Sequence, residues 1–206
     1  MLIDKLLELA KKIEDENLRK KVIDLIKSPN LTHPDFKKYE MTPLEEVRTG
    51  FSVGGGQIVE RDVLNHTITV TEACIELARI LEKNFGIPFN KDVLIAAALI
   101  HDLMKAYEWK VEGENLKYTN IPLDHTALIT AELYKRNFPE EVIHAVAAHA
   151  GEQGTVPPRT FEALLLHYVD SIVAVIEYYY YLFLKSNQIS SLILKEDENK
   201  ESEKSK

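Results

Sequence analysis

Eight consecutive apolar residues, Val93-Leu94-Ile95-Ala96-Ala97-Ala98-Leu99-Ile100, lead directly into His101-Asp102. A helix that is apolar all round has no face to give to water, so other elements must surround it. Whatever buries this run also buries an imidazole and a carboxylate at its end. Such groups are costly in a core without partners, and together they are the donor types that hold divalent iron, manganese, zinc or magnesium. His66, His125, His149 and Asp170 stand around the doublet, and the ligand candidates recur at intervals of 21 to 35 residues. That spacing suits successive helices that each send a ligand to one point, as in metal sites inside helical bundles.

The rest of the chain reads as all-α. Leu6, Leu7, Leu9, Ala10, Ile13, Leu18, Val22, Ile23 and Ile26 fall at helical spacing over 2–27, with a break expected at Asn17. Residues 29–57 are rich in proline and glycine, including Gly54-Gly55-Gly56, and read as loop. Further helices are predicted over 59–85, 90–107, 122–137, 139–150, 159–186 and 188–195, punctuated by Pro88, Pro122, Pro139 and Pro157-Pro158. Residues 110–120 suit a small hairpin, and the charged tail from Lys195 reads as disordered. The expected organisation is a helix-and-loop extension over 1–57, a helical domain over 58–187 that carries every ligand candidate, and a short helix and tail over 188–206.

The net charge of −8 disfavours sequence-independent nucleic-acid binding. The single cysteine, Cys74, excludes an intrachain disulfide and a Cys-rich zinc site, and its place in a predicted helix suggests packing. Met1-Leu2-Ile3-Asp4-Lys5 does not begin a signal peptide, and no apolar stretch is long enough for a membrane span. The expected location is the cytoplasm, where a ferrous site could stay reduced.

The order His66, His101-Asp102, Asp170, with His125 and His149 between, resembles the HD superfamily of metal-dependent phosphohydrolases. The resemblance covers roughly residues 58–185 and implies an HD helical bundle and a hydrolase of phosphoric esters. It implies that His66, His101, Asp102 and Asp170 bind a first metal. Asp102 would bridge to a second, held by His125 and His149. The ions would be Fe2+ or Mn2+, one or two per chain, activating a hydroxide for attack at phosphorus. Lys105, on about the same helix face as the doublet, could meet a phosphate oxygen and offset charge in the transition state. Two departures stand out. The run His101-Asp102-Leu103-Met104-Lys105 lacks the Ile-Gly of the HDIGK signature. Ala150 stands where many binuclear members carry a second histidine, which leaves the second metal one ligand short.

Two narrower resemblances bear on substrate. The opening helix, the Thr32-His33-Pro34 loop and Val142 to His149 are similar to archaeal HD phosphodiesterases of the pterin pathway, which implies a ferrous enzyme that opens dihydroneopterin 2′,3′-cyclic phosphate. The stretch from His149-Ala150-Gly151 to Asp170 resembles bacterial HD exoribonucleases of the YhaM type, which implies 3′–5′ exoribonuclease activity on an oligonucleotide. No OB-like segment precedes the HD part, which weighs against the second. A third reading, from a different class, is a non-catalytic module that senses a nucleotide.

The remaining polar residues have plain alternatives. Arg61 and Arg159 are candidates to bind an anionic substrate, although a solvated arginine is the default. His144 suits a supporting or surface position. His167 shares a face with Asp170, so a hydrogen bond to it and simple packing are equally open. His33 reads as exposed. The triple glycine reads as a flexible entry loop rather than a phosphate cradle. Tyr178-Tyr179-Tyr180-Tyr181 with Phe183 encircles its helix and must be covered on most sides, which predicts core on one side and a homo-oligomer contact on the other.

Overall fold

The computed structural model describes residues 1–113, 115–151 and 154–187 in full, and the backbone of 188–204. Its elements are α1 (Leu2–Ala10), α2 (Glu16–Lys27), β1 (Arg48–Phe51), β2 (Val59–Asp62), α3 (Val63–Phe85), α4 (Lys91–Ile100), α5 (Lys105–Glu108), β3 (Trp109–Glu112), β4 (Asn115–Tyr118), α6 (His125–Lys135), α7 (Glu140–Ala147) and α8 (Phe161–Lys204). The fold is all-α, and each pair of strands forms a separate two-stranded antiparallel hairpin.

The apolar run is the axis of the molecule. Every residue from Val93 to Ile100 is buried, and α4 packs against α1, α2, α3, α7 and α8. Asn90 starts the helix by accepting a hydrogen bond from the Val93 amide. The predicted helix over 90–107 is in fact two, because α4 stops at Ile100 and residues 101–104 form a tight turn. Three-residue backbone bonds mark it, from Leu103 N–H to Ile100 O at 3.3 Å and from Lys105 N–H to Asp102 O at 3.0 Å. Neighbours on a regular helix point about 100° apart. The turn removes that restriction and lets both His101 and Asp102 face one centre.

The amino-terminal helices belong to the same core. Leu6, Ile13, Leu25 and Ile26 are buried in one cluster with α4. The break between α1 and α2 falls at 11–15 rather than at Asn17, because Asp15 caps α2 by accepting from the Leu18 amide. The carboxylate of Asp92, in the first turn of α4, accepts the Glu14 and Asp15 amides at 2.8 Å each and holds this corner down.

Residues 59–62 are strand, not the first turn of the helix predicted over 59–85. Val59 and Arg61 point inward, Asp62 caps α3 through the Asn65 amide, and β2 pairs with β1 in the register Arg48↔Asp62 to Phe51↔Val59. The triple glycine closes this hairpin. Gly54 and Gly55 take φ of +61° and +73°, which suits residues without a Cβ. A Cβ on Gly56 would lie 2.2 Å from the Tyr178 hydroxyl, so the loop is closely packed there. The predicted hairpin near 110–120 is β3–β4, and β1 packs against both of its strands.

The backbone of α8 continues unbroken to Lys204. The short helix over 188–195 and the charged tail expected of the sequence lie outside the fully described residues. Lys and Glu are good helix formers, and no Gly or Pro interrupts residues 161–206. Among the described residues, no helix is long and apolar enough to cross a membrane.

Candidate metal centre

Five pieces of the bundle bring six donors together. His66 comes from α3, His101 and Asp102 from the turn after α4, His125 from the first position of α6, His149 from the turn just past α7, and Asp170 from α8. Asp102 is the hub and is 1% exposed. Its two oxygens divide the cluster. Oδ2 faces His101 Nε2 at 3.5 Å and His66 Nε2 at 3.8 Å, while Oδ1 faces His125 Nε2 at 3.4 Å and His149 Nε2 at 3.9 Å. Asp170 Oδ1 completes the first group, 2.8 Å from His66 Nε2 and 3.9 Å from His101 Nε2. His66, His101 and Asp102 form one set of donors close enough to share an ion, and Asp102, His125 and His149 form another.

The imidazoles are aimed by their outer nitrogens. His101 Nδ1 donates to the Ala98 carbonyl at 2.8 Å, and His149 Nδ1 donates to the Val146 carbonyl at 2.6 Å. A carbonyl can only accept, so both rings carry their proton on Nδ1 when neutral and turn a bare Nε2 inward. His125 Nδ1 lies 3.2 Å from Glu108 Oε1, which also accepts the His125 amide at 2.6 Å. His66 Nδ1 lies 2.9 Å from Glu177 Oε2. Outer partners of this kind, carbonyl or carboxylate, are what fix the tautomer of metal-binding histidines.

The electrostatics favour a cation at the centre. Burial raises the Asp102 pKa, but Lys105 and the surrounding imidazoles outweigh it and hold the carboxyl well below its usual range. Burial pushes His149 down to about 3, with His101 and His125 adding to the effect, and burial also lowers His101. His66 goes the other way: burial lowers it, yet its hydrogen bonds to Asp170 and Glu177 carry it above its ordinary value. Neutral imidazoles and ionised carboxylates are the protonation states that bind metal. Two buried atoms in the cluster, His101 Nε2 and Asp102 Oδ1, have no hydrogen-bond partner among the described residues. An ion between the donors would satisfy both, so these residues fit a divalent metal.

The comparisons with known proteins agree. The HD domain family matches residues 63–175. The chain belongs to the HD-domain family. It is 40% identical over 170 residues to the dihydroneopterin 2′,3′-cyclic phosphate phosphodiesterase of Methanocaldococcus jannaschii, an alignment that covers 82% of this chain and 67% of that protein. It is also 37% identical over 116 residues to ribonuclease Y of Desulforamulus reducens and 33% identical over 141 residues to ribonuclease Y of Nitratidesulfovibrio vulgaris. Those alignments span 55% and 68% of this chain but only 19% and 21% of the ribonucleases. No solved structure matches the chain. The HD family and the His/Asp cluster together support divalent metal binding.

Other residues singled out in the sequence of this HD protein take varied places. Lys105 is buried, and its ammonium donates to Asp102 Oδ2 at 2.7 Å. Arg61 is also buried rather than solvated, and it reaches the cluster. Arg159 is exposed on the connection before α8. There its amide donates to His144 Nε2 at 3.0 Å, and the structure does not bring it to the donors. His167 contacts the His149 carbonyl at 2.9 Å rather than Asp170, so it supports the backbone that carries a donor. Gly151 makes room for it: a Cβ there would come within 2.0–2.4 Å of the His167 ring. Exposed His33 caps a short turn at Pro34–Phe36 through the Asp35 amide. Cys74 is buried in the core, where burial pushes its thiol up.

Sequence reasoning missed Glu108 and Glu177. A signal existed for Glu177, since it is the one acid between Asp170 and the tyrosines and lies seven residues, about two helical turns, beyond Asp170. Glu108 carried none, because the end of a predicted helix is an ordinary place for a glutamate.

Two outcomes follow from this geometry. Gly151→Ala is expected to displace His167 or the His149 backbone, to lower stability by about 1–3 kcal/mol, and to weaken metal uptake. Chemical denaturation with metal analysis checks it, and wild-type values for both would contradict the packing. For metal-free protein, stability is expected to fall as pH drops from 7.5 to 5. His149 and His101 have folded pKa values below about 6.5 in the unfolded chain, so unfolding takes up protons there. His66, with its raised value, opposes this as one group against two. Urea midpoints measured with chelator present would show the trend, and a midpoint that rises on acidification would contradict it.

Proposed function

We propose that this protein is a metal-dependent phosphodiesterase that opens a small nucleotide-like 2′,3′-cyclic phosphate, with dihydroneopterin 2′,3′-cyclic phosphate as the leading substrate. The observation that carries this reading is the division of Asp102, one oxygen toward His66 and His101 and the other toward His125 and His149. The identity to the M. jannaschii phosphodiesterase over most of the chain supplies the substrate class. In this reading one ion takes His66, His101, Asp102 and Asp170, and a second takes Asp102, His125 and His149. Fe2+ or Mn2+ suits this mixture of imidazole and carboxylate. A bound pair of such ions would polarise the phosphoryl group and lower the pKa of water beside it.

The chain's own residues do the rest. Asp102 bridges. Glu108 and the carbonyls of Ala98 and Val146 hold three of the imidazoles in their binding tautomer. An ammonium has three donors, and Lys105 uses one on Asp102. The others are free to meet a phosphoryl oxygen and offset charge that grows in the transition state. Ala150, half-buried after His149, provides no donor, which would leave a coordination place at the second position to an oxygen of substrate or solvent.

The decisive experiment is anaerobic purification, metal analysis, and a substrate panel with added Fe2+ or Mn2+. The panel holds dihydroneopterin 2′,3′-cyclic phosphate, 2′,3′-cyclic nucleotides, bis-p-nitrophenyl phosphate and short RNA. Expected are one or two ions per chain, opening of the cyclic phosphates, and loss of metal and activity in His101→Ala and Asp102→Ala. RNA shortened from its 3′ end with no turnover of cyclic phosphates would select an exoribonuclease instead. Nucleotide binding without turnover by metal-loaded protein would select a sensor.

We also propose that two copies pair through α8. Phe161, Tyr168, Ile172, Ile176, Tyr179 and Phe183 are each 51–63% exposed. At 100° per residue they lie within about 40° of one line, and at 1.5 Å per residue the line is about 33 Å long. With aromatic side chains of about 150–250 Å2, such a stripe offers on the order of 800 Å2 per protomer, which is what a stable pair needs. A stripe on one helix pairs with its own copy about a two-fold axis. Light scattering is expected to give a dimer at micromolar concentration and a monomer for the Ile172→Glu, Ile176→Glu double variant. A monomeric wild type would overturn the pairing.

A further inference from the structure

Arg61 and Glu177 make a second, outer layer to the centre. Arg61 comes from the β1–β2 hairpin and Glu177 from α8, and they meet over His66. Arg61 is 6% exposed although it carries a permanent charge. Its Nη1 lies 3.2 Å from Glu177 Oε2 and 3.0 Å from His66 Nδ1, its Nη2 lies 3.6 Å from Asp102 Oδ2, and its plane rests on the Phe51 ring with Cζ 4.7 Å from the centroid. With the His66 proton on Nδ1, Glu177 Oε2 is the shared acceptor for two N–H groups, one from Arg61 and one from His66; with the proton on Nε2, Nδ1 would instead accept from Arg61 Nη1.

We propose that Glu177 and Arg61 are a positioning pair that sets the tautomer of His66 and thereby the affinity of the first metal position. The proposal rests on the metal reading given above. A carboxylate at Nδ1 draws the proton of neutral His66 to that nitrogen, which would leave the Nε2 lone pair facing Asp170 Oδ1 at 2.8 Å once a cation replaces the proton between them. Two lone pairs that converge at this distance repel unless a cation or a proton stands between them. Glu177 alone would be free to swing outward, since its side chain is 18% exposed. Arg61 prevents this: it holds the carboxylate in place and is itself locked by Phe51 and Asp102. The pair also ties the hairpin to α8. Neither residue contacts the His125–His149 side of Asp102 in any bond described above, so its influence falls on one position only.

The test is Mn2+ titration of chelator-stripped protein by calorimetry, with the thermal melt of the metal-free protein measured in parallel. Glu177→Gln keeps the size of the side chain and removes its charge. It is expected to weaken one Mn2+ about 10- to 100-fold and to leave the other unchanged. The Nδ1 proton resonance of His66 in Zn2+-loaded protein should shift or vanish in the same variant. Arg61→Met should weaken the same Mn2+, and the double variant should be no weaker than Glu177→Gln alone, because the two residues act as one device. The proposal is overturned if Glu177→Gln binds both ions as wild type does, if the two substitutions add, or if both ions weaken equally while the metal-free melt collapses. A wild type that takes up no Mn2+ would instead sink the metal reading itself, which is a separate result.

Discussion

A carboxylate with no access to water is stable only where positive charge and hydrogen-bond donors surround it, and the whole centre is arranged around that demand. Asp102 is 1% exposed and has four imidazoles, Lys105 and Arg61 within 4 Å of its oxygens. Removing one partner from such a group leaves buried charge uncompensated, which is the most damaging kind of loss in a core. The apolar length of α4 has a purpose in this light. A helix flanked by five others is a rigid post, and the tight turn that follows it holds Asp102 at the depth where all six donors converge. The apolar packing and the polar site are one design, because the packing sets the distances that the charges require.

The histidines are oriented by a device that the helices already possess. The last carbonyls of any helix lack intrahelical partners. His101 stands just past α4 and donates to the carbonyl three residues back, and His149 does the same just past α7. In both places one hydrogen bond to a carbonyl of the last helical turn fixes the tautomer of a donor. His125 and His66 lie instead near the starts of helices, where no such carbonyl is available. A carboxylate takes over in each case, Glu108 for His125 and Glu177 for His66. The choice of partner follows from which end of its helix each histidine occupies.

This explains which parts of the molecule were legible in the sequence. The donors themselves were visible, because histidine and aspartate in apolar surroundings are conspicuous, and all six converge. The helices of the core were visible through apolar periodicity and proline punctuation. Less visible were features that depend on tertiary contact. Residues 59–62 carry no pattern that separates a strand from the first turn of α3, and only pairing with β1 decides it. Arg61 read as a substrate contact or a solvated charge because burial of an arginine depends on Phe51 and Glu177, which are distant in sequence. Lys105 read as a charge free to reach substrate, whereas the tight turn at 101–104 brings it onto Asp102. The tyrosine run divided as expected in part, with Tyr178 buried beneath the glycine loop and Tyr179 and Tyr180 exposed.

The outer layer of the centre stands at the two ends of the family match. The family match runs from 63 to 175 and contains all six donors, Lys105 and Glu108. Arg61 lies two residues before it and Glu177 two residues after. The β1–β2 hairpin and the part of α8 beyond Asp170 thus grip the centre from either side, at the histidine that no helix end orients. A fold shared by ribonuclease Y and a cyclic phosphate phosphodiesterase must diverge in what surrounds the donors, since the donors alone do not select a substrate. In this chain that surround consists of β1–β2 at one edge, β3–β4 between Lys105 and His125 at the other, and the partly open face of α8 from Asp170 to Glu177. Loops and short hairpins on a rigid scaffold are where specificity is free to change without moving the chemistry. The contact between the two hairpins joins those edges.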